Sequence, residues 1–473
     1  MLFDLQGLTI VGVVLLVAEI LGVLLAIHAV MQPRSSQGAI AWFIALIALP
    51  VVTVPFYTVF GRTRFLGYTE AMREAAAIVG GQLNEWLEKM NAMAAKPRTG
   101  LEVIETLSKK LTQVPFLGAN HVELLVDGAE TYDDMNSAIE SAQSYVLVQF
   151  YIVRDDIIGR RLRDALVAKA RSGIKTFFLY DEIGCIKLPA AYLDVMRKEG
   201  VEVSGFKTTK GRSNRFQINF RNHRKLLVAD GHTGFIGGNN LGEEYLVYRD
   251  THLRIDGPAA QHIQLSFLKD WYWATGQIIP VSSKIIPSDT SDQAVAIVNT
   301  GPADIAANCS ILFSSLISQA RSRLWITSPY FVPNDAIVVA LQAAAIRGVD
   351  VRIILPDHAD QVFVELASYT YYDDMLNNGV RLYRYRDHFM HQKVILVDDS
   401  VAGIGTVNLD NRSLYLNFEA TALIADYDFI KQVEVMLKDD LENSLPVEKE
   451  HFDNRPLPFR VASQIARLAS PLL

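Results

Sequence analysis

The sequence predicts an α/β protein made of two pseudosymmetric halves, mixed sheets flanked by helices, behind an N-terminal two-helix membrane hairpin. Three observations carry this. The template H-x-K-x4-D-x6-G-x2-N occurs twice, 168 residues apart. Each copy closes a strand–helix–strand pattern. Hydrophobic residues make up 50% of the 473, and the excess sits at the front. That length allows two or three domains.

From the N-terminus, residues 8–31 are apolar apart from Glu19 and His28, enough to span a bilayer as a helix. Residues 40–60 form a second apolar segment carrying Trp42, Pro50, Pro55 and Tyr57. Proline is tolerated in membrane helices whose freed carbonyls find other donors. The short polar connection 32–37 makes the pair a hairpin. A cleaved signal peptide is disfavoured by Asp4 and by the lack of any Lys or Arg before Arg34. Glu19 is costly at bilayer depth unless neutral or paired. It marks either a helix–helix contact or a protonated side chain. Arg62, Arg64 and Arg73 outnumber Arg34 of the connection, which puts the body on the cytoplasmic side.

The expected boundaries are 1–61 for the two spans and 62–115 for a juxtamembrane helical adaptor, interrupted at Pro97-Arg98-Thr99-Gly100. The first half follows over 116–285 and the second over 286–473. Residues 144–153 read as a strand, then a helix to 170, then a strand at 174–180. The second half repeats this with a strand at 323–332, a helix, and a strand at 349–355. That order implies parallel pairing with right-handed crossovers. Residues 226–229 and 394–397 are short apolar runs that read as buried strands. The tail places Phe459, Ala462, Ile465, Ala466, Leu468 and Ala469 broadly on one side. It suits a bilayer interface or the protein body.

The chemistry lies in the template. At ordinary amino-acid frequencies one chance match is on the order of one in ten thousand. Side chains two apart in a strand face the same way, so His223 and Lys225 project together, as do His391 and Lys393. Gly237 and Gly405 let the following backbone turn closely, and Asn240 and Asn408 bring an amide back. Two half-sites face to face join two imidazoles, two ammonium groups and two amides. This set needs no metal ligand or cofactor. The fitting guest is a phosphate diester, its nonbridging oxygens held by Lys225, Lys393, Asn240 and Asn408. One imidazole attacks phosphorus. The other protonates the leaving alkoxide and later deprotonates the incoming alcohol. Pseudosymmetry leaves their assignment open. A nucleophilic imidazole needs its second nitrogen fixed by an acceptor. Asp250, 27 residues after His223, and Glu419, 28 after His391, are the candidates. The plainer alternative for both is a salt bridge on a sheet. Asp230 and Asp398 complete the motif. Seven residues beyond the histidine along a strand, they are expected to point elsewhere and support a turn.

Other features narrow the class. Cys185 and Cys309 have no metal-ligand or redox spacing. The net charge of −7 disfavours nonspecific nucleic-acid binding. Residues 207–225 nonetheless hold seven basic residues and no acidic one, interleaved with Phe216 and Phe220. This stretch suits anionic headgroups or a solvated loop. No Walker A loop, HExxH or D-G-x2-A-R run occurs.

The paired motifs with their trailing G-x-x-N resemble the phospholipase D superfamily over roughly residues 116–440, so the halves are expected to be phospholipase D-like. That superfamily includes lipases, nucleases and phosphatidyltransferases. The hairpin with Trp42, Pro50 and Gly61-Arg62 narrows the likeness to bacterial cardiolipin synthases. So do Ser328-Pro329-Tyr330-Phe331, Asn408-Leu409-Asp410-Asn411-Arg412-Ser413, Asn417-Phe418-Glu419 and the closing Ser470-Pro471. The resemblance implies a catalytic set of His223, Lys225, Asp230, His391, Lys393 and Asp398, with His223 as nucleophile. It implies that two phosphatidylglycerols give cardiolipin and glycerol at a bacterial inner membrane, with no metal, cofactor or nucleic acid. The partners implied are phosphatidylglycerol and anionic membrane lipids, and a homodimer is compatible. One departure is Gly238, where the superfamily usually has Ser and the second copy has Thr406. It puts one phosphate contact in doubt. A hydrolytic phospholipase D and a phosphatidyltransferase using another alcohol share the same core. A lipid-binding scaffold is the non-enzymatic alternative. A nuclease is disfavoured by the apolar segments and the acidic total.

Overall fold

The computed structural model describes residues 5–32, 35–62, 64–96, 100–211, 214, 217–450 and 452–473. Expectations resting on Asp4, Arg34, Pro97, Arg98, Thr99 and Phe216 lie outside these residues. The chain divides into two compact units, Met1–Thr69 with Thr208–Phe220, and Glu70–Lys207 with Arg221–Leu473.

In the smaller unit, the stretch Val11–Met31 of the first helix is long and apolar enough to cross a membrane, with mean hydropathy 2.6. Glu19 is exposed on this helix. The second arm is broken into two apolar helices, Ser36–Ala48 and Pro50–Phe60. Pro50 has no N–H and disfavours helical geometry in the residue before it, and Leu49 accordingly sits at φ −139°, ψ 57°. The Thr53 hydroxyl donates to the carbonyls of Ala45 (3.0 Å) and Leu49 (2.8 Å), adding a bridge across the break. The two arms meet backbone to backbone at Gly22, where a Cβ would lie 2.6 Å from the Leu46 carbonyl oxygen. His28 Nδ1 and the Tyr57 hydroxyl join them at 2.8 Å. Part of the basic stretch belongs to the same unit. The rings of Phe220 and Phe65 stack at 5.2 Å, and a Cβ on Gly67 would strike Asn214.

The larger unit is built on one 16-stranded sheet beside a small 2-stranded one. In chain order its first half supplies β1 (Leu117–Val126), β2 (Tyr145–Phe150), β3 (Lys175–Asp181), β4 (Glu202–Phe206), β5 (Arg221–Asn222), β6 (Leu226–Ala229), β7 (Thr233–Gly237) and β8 (Thr251–Asp256). The second half supplies β9 (Gln293–Thr300), β10 (Arg323–Thr327), β11 (Phe331–Val332), β12 (Asp350–Pro356), β13 (Arg381–Tyr385), β14 (Val394–Val397), β15 (Val401–Gly405), β16 (Leu409–Asp410), β17 (Asn417–Ala425) and β18 (Ser444–Pro446). The order is β18-β13-β12-β10-β14-β15-β17-β9-β1-β8-β7-β6-β2-β3-β4. Read outward from the β9–β1 junction, seven strands of each arm correspond in order, and β18 extends the second arm alone. The halves therefore share a single mixed sheet, because pairing β1 with β9 removes an exposed edge from each.

Within each arm the crossover strands are parallel, β2 with β3 and β10 with β12. The motif strands β6 and β14 run antiparallel beside them. Every residue of β2 is buried, as helices on both faces require. The expected strand 323–332 is split into β10 and β11. Pro329 cannot donate to a ladder, and the Ser328 hydroxyl instead donates to the Tyr330 carbonyl at 2.7 Å. The C-terminal helix Leu457–Leu468 buries Ser463 and Ala466 and sets the Phe459 ring 5.2 Å from Tyr369. Leu457, Val461, Ile465 and Leu468 stay exposed (49–82%). The single apolar side expected of the tail is thus divided between the body and an open stripe.

Candidate active site

Main-chain pairing between the halves builds the site. His223, Arg224 and Lys225 lie extended between β5 and β6. β5 pairs with the start of β17, and the His223 amide donates to the Phe418 carbonyl at 2.9 Å. In the second copy Arg249 bridges to Met390, and the His391 amide donates to the Arg249 carbonyl at 2.8 Å. Phe418 immediately precedes Glu419, and Arg249 immediately precedes Asp250. Each histidine is thereby docked beside the carboxylate of the other half. His223 Nδ1 lies 3.0 Å from Glu419 Oε2, and His391 Nδ1 lies 2.5 Å from Asp250 Oδ2. The matched spacings within each half suggest no such crossing. Both Nδ1 atoms are taken, which leaves Nε2 of each imidazole for chemistry.

The carboxylates are themselves held. Glu419 Oε2 accepts from the Thr406 hydroxyl at 2.5 Å, and Oε1 from Asn417 Nδ2 at 3.1 Å. Asp250 Oδ1 accepts from the Thr251 amide at 2.8 Å. Gly238 occupies the place of Thr406, and a Cβ there would lie 2.0 Å from Asp250 Oδ1. The glycine makes room for the shorter Asp carboxylate, and the hydroxyl of the other copy serves a carboxylate. Lys225 and Lys393 are buried, each donating from Nζ to the carbonyl of its own motif histidine. Tyr151 sets its ring 4.9 Å from His223, while Tyr245, Tyr248 and Phe389 surround His391.

Arg224, between the two motif side chains, turns into the core. Its Nη1 reaches both Asp270 oxygens at 2.8 Å, and its Nε donates to the Glu419 carbonyl at 3.1 Å. This strut ties the halves together. Sequence reading misses it, because the second copy has Gln392 there.

Asp230 and Asp398 lie at the far end of the motif strands from the histidines. Asp230 accepts from the amides of Gln143, Ser144 and Tyr145 at 2.7–3.0 Å. Asp398 accepts from Arg321, Ser322 and Arg323 at 2.8–2.9 Å. Both have positive φ, 55° and 50°, a conformation Asp tolerates better than most residues. They fasten the turns that lead into β2 and β10, and the His–Lys cluster excludes them. Asn240 and Asn408 are buried just past β7 and β15. Asn240 Oδ1 accepts from the Ile152 amide at 3.2 Å, and Asn408 bonds Asp410. Neither hydrogen-bonds the His–Lys cluster among the described residues.

The cluster holds two ammonium groups and two carboxylates. Burial pushes His223 and His391 down to about 4, with Lys225 and Lys393 beside them adding to the effect. Burial likewise lowers Lys393 to about 8 and Lys225 well below the usual range. Burial opposes ionisation of Asp250 and Glu419. The adjacent lysines and histidines outweigh it and hold both below their ordinary values. Among the described residues no group of three or more His, Cys, Asp or Glu is placed to hold a metal ion.

A sheet duplicated about one junction, with a His–Lys pair from each half in one cluster, defines a phospholipase D-type protein. The family model described as "Cardiolipin synthase, PLD-like domain" matches residues 135–271 and 313–441. A second, "Phospholipase_D-nuclease N-terminal", matches residues 20–62. The chain is 43% identical to cardiolipin synthase A of Pseudomonas aeruginosa, over 98% of this chain and 96% of that one. It is 44% identical to cardiolipin synthase A of Pseudomonas putida strain W619, over 98% of each. The chain belongs to the cardiolipin synthase family. The fold is shared with a crystal structure of phosphatidylserine synthase from Haemophilus influenzae, at a TM-score of 0.62 and 16% identity, covering 79% of this chain and all of that one.

Proposed function

We propose that the protein is a cardiolipin synthase that joins two phosphatidylglycerols through a phosphohistidine. The observation that carries the mechanism is the crossed anchoring of the two imidazoles in one buried cluster. The diester phosphate of the first lipid sits between Lys225 and Lys393. His223 is neutral and presents Nε2, with Glu419 on Nδ1. Nε2 attacks phosphorus, the bond to the glycerol oxygen breaks, and glycerol leaves with a proton from His391. The anionic diester adds negative charge beside His391, which draws that proton onto the imidazole before attack. In the second step the terminal hydroxyl of another phosphatidylglycerol gives its proton to His391 and displaces His223 from phosphorus. One diester replaces another, so no nucleotide is consumed. His223 is assigned to attack by family likeness, and the geometry accommodates either order. Asn240 and Asn408 support the loops around the phosphate, and Asp230 and Asp398 the fold.

The anchoring suits a lipid substrate. The apolar first helix and the broken second arm embed the chain in the membrane as a multi-pass protein. Arg62, Arg64 and Arg73 favour a cytoplasmic body. The basic segment grouped with these helices and the open stripe Leu457, Val461, Ile465 and Leu468 both suit an anionic bilayer surface. The test is an incubation with phosphatidylglycerol stopped by denaturant at mildly alkaline pH, which preserves the acid-labile N–P bond, then digested and read by mass. A phosphatidyl group on His223 supports the scheme. A group on His391 reverses the roles, and none on either histidine, with turnover intact, overturns the covalent route.

A further inference from the structure

A second basic cluster borders the catalytic one. Arg221 precedes His223 by two residues, where β5 pairs with β17, and so shares its side of the segment. The Tyr151 ring stands against His223, and its hydroxyl hydrogen-bonds Arg221. Arg412 comes from the short helix Asn411–Tyr415 just after β16. It lies close enough for its charge to act on both the Tyr151 hydroxyl and Arg221. The nearby acids are engaged by main-chain amides. Asp181 accepts from Ile183, Gly184 and Asn222 at 2.8–2.9 Å, and Asp410 from Ser413 at 2.6 Å. The last residues of the chain brace Arg412, whose amide donates to the Leu473 carbonyl at 2.7 Å and whose Nη1 donates to that of Leu472 at 3.0 Å. Both arginines keep part of their surface open. The cluster exists once. At the corresponding places of the other half stand Phe389, two before His391, and Glu244, four after Asn240.

Two guanidinium groups close enough for their charges to act on one another suit an anion that both can contact. The proposed reaction brings such an anion here. The acceptor lipid carries its own phosphodiester, three carbons from the hydroxyl that attacks. We propose that Arg221, Arg412 and Tyr151 form a subsite for the phosphodiester of the acceptor phosphatidylglycerol, one aromatic ring away from the phosphate that reacts. The subsite delivers the acceptor hydroxyl to the histidine adduct by the lipid's own charge. Water and small alcohols have no phosphate to place there, so the cluster sets the preference for a lipid acceptor.

This inference rests on the cardiolipin synthase reading. Its test uses the full-length protein in detergent–phosphatidylglycerol micelles with ethanol added, and reads cardiolipin and phosphatidylethanol from one incubation. Arg221→Gln and Arg412→Gln should each lower the ratio of cardiolipin to phosphatidylethanol at least tenfold and raise the apparent KM for phosphatidylglycerol as acceptor. Should Arg412→Gln fail to fold, Arg412→Lys keeps the charge without the fork and should shift the ratio the same way. Wild-type protein that makes no cardiolipin removes the reading beneath the proposal. Wild-type cardiolipin with an unshifted ratio in the variants, or equal loss of both products, overturns the subsite alone.

Discussion

Glu419→Gln removes one negative charge from the cluster while keeping the shape. The glutamine carbonyl can take the place of Oε2 and accept from His223 Nδ1 and the Thr406 hydroxyl. Its NH2 then faces Asn417, whose Oδ1 is buried without a partner among the described residues. Turning the Asn417 amide gives that NH2 an acceptor, so the cost to the fold is small. The cost to catalysis is not. At 3.0 Å and an effective dielectric near 20, a full charge on His223 gains about 5 kcal/mol from the carboxylate. A neutral hydrogen bond returns about 1 kcal/mol. The remaining deficit of about 4 kcal/mol falls on the step that places positive charge on the imidazole, roughly a thousandfold in kcat. The assay is cardiolipin formation in mixed micelles, with a thermal melt in the same detergent. A folded Glu419→Gln protein within tenfold of wild-type kcat would refute the role of the crossed carboxylate.

Further expectations follow from the same geometry. His223→Ala and His391→Ala should each lower transfer by roughly three orders of magnitude or more, since each supplies a separate step; near-normal turnover in either contradicts the two-histidine scheme. Gly238→Ser should displace Asp250 from His391, because its Cβ would meet Oδ1 at 2.0 Å, and lower kcat at least tenfold; unchanged kcat shows that the carboxylate yields freely. Asp230→Ala should cost about 3 kcal/mol of stability through lost amide contacts and lower the melting temperature, with kcat per folded molecule nearly kept; a kcat collapse at unchanged melting temperature would place Asp230 in the chemistry. Burial pushes His262 down to about 3, so the unfolded chain binds a proton there that the native state refuses between about pH 3 and 6.5. Stability on its account rises with pH across that window and falls by about 2 kcal/mol from pH 7 to 5; His262→Gln should narrow the gap between melting temperatures at the two pH values, and an unchanged gap contradicts the assignment.

The parts of the fold that were legible in the sequence are those set by local pattern. The runs 226–229 and 394–397 form strands with those same bounds, because four apolar residues between charged ones have one way to be buried. The duplication fixes two like arms. It does not show that they join through β1 and β9, since edge pairing leaves no local trace. The break at Leu49 was signalled by Pro50, yet hydropathy alone reads straight through it. The site divides the same way. His–Lys proximity follows from spacing, whereas the crossing of Asp250 and Glu419 depends on main-chain pairing between the halves, joining residues 141 and 196 positions apart. The roles of Arg224, Arg221 and Arg412 were illegible because the other copy carries different residues there.

The most direct test supplies purified protein with phosphatidylglycerol as the only lipid, with chelator and without nucleotide, and reads the products by mass. The account predicts cardiolipin and glycerol in equal amounts. Phosphatidic acid as the main product would contradict it, because water would then be the acceptor and the chain a hydrolase.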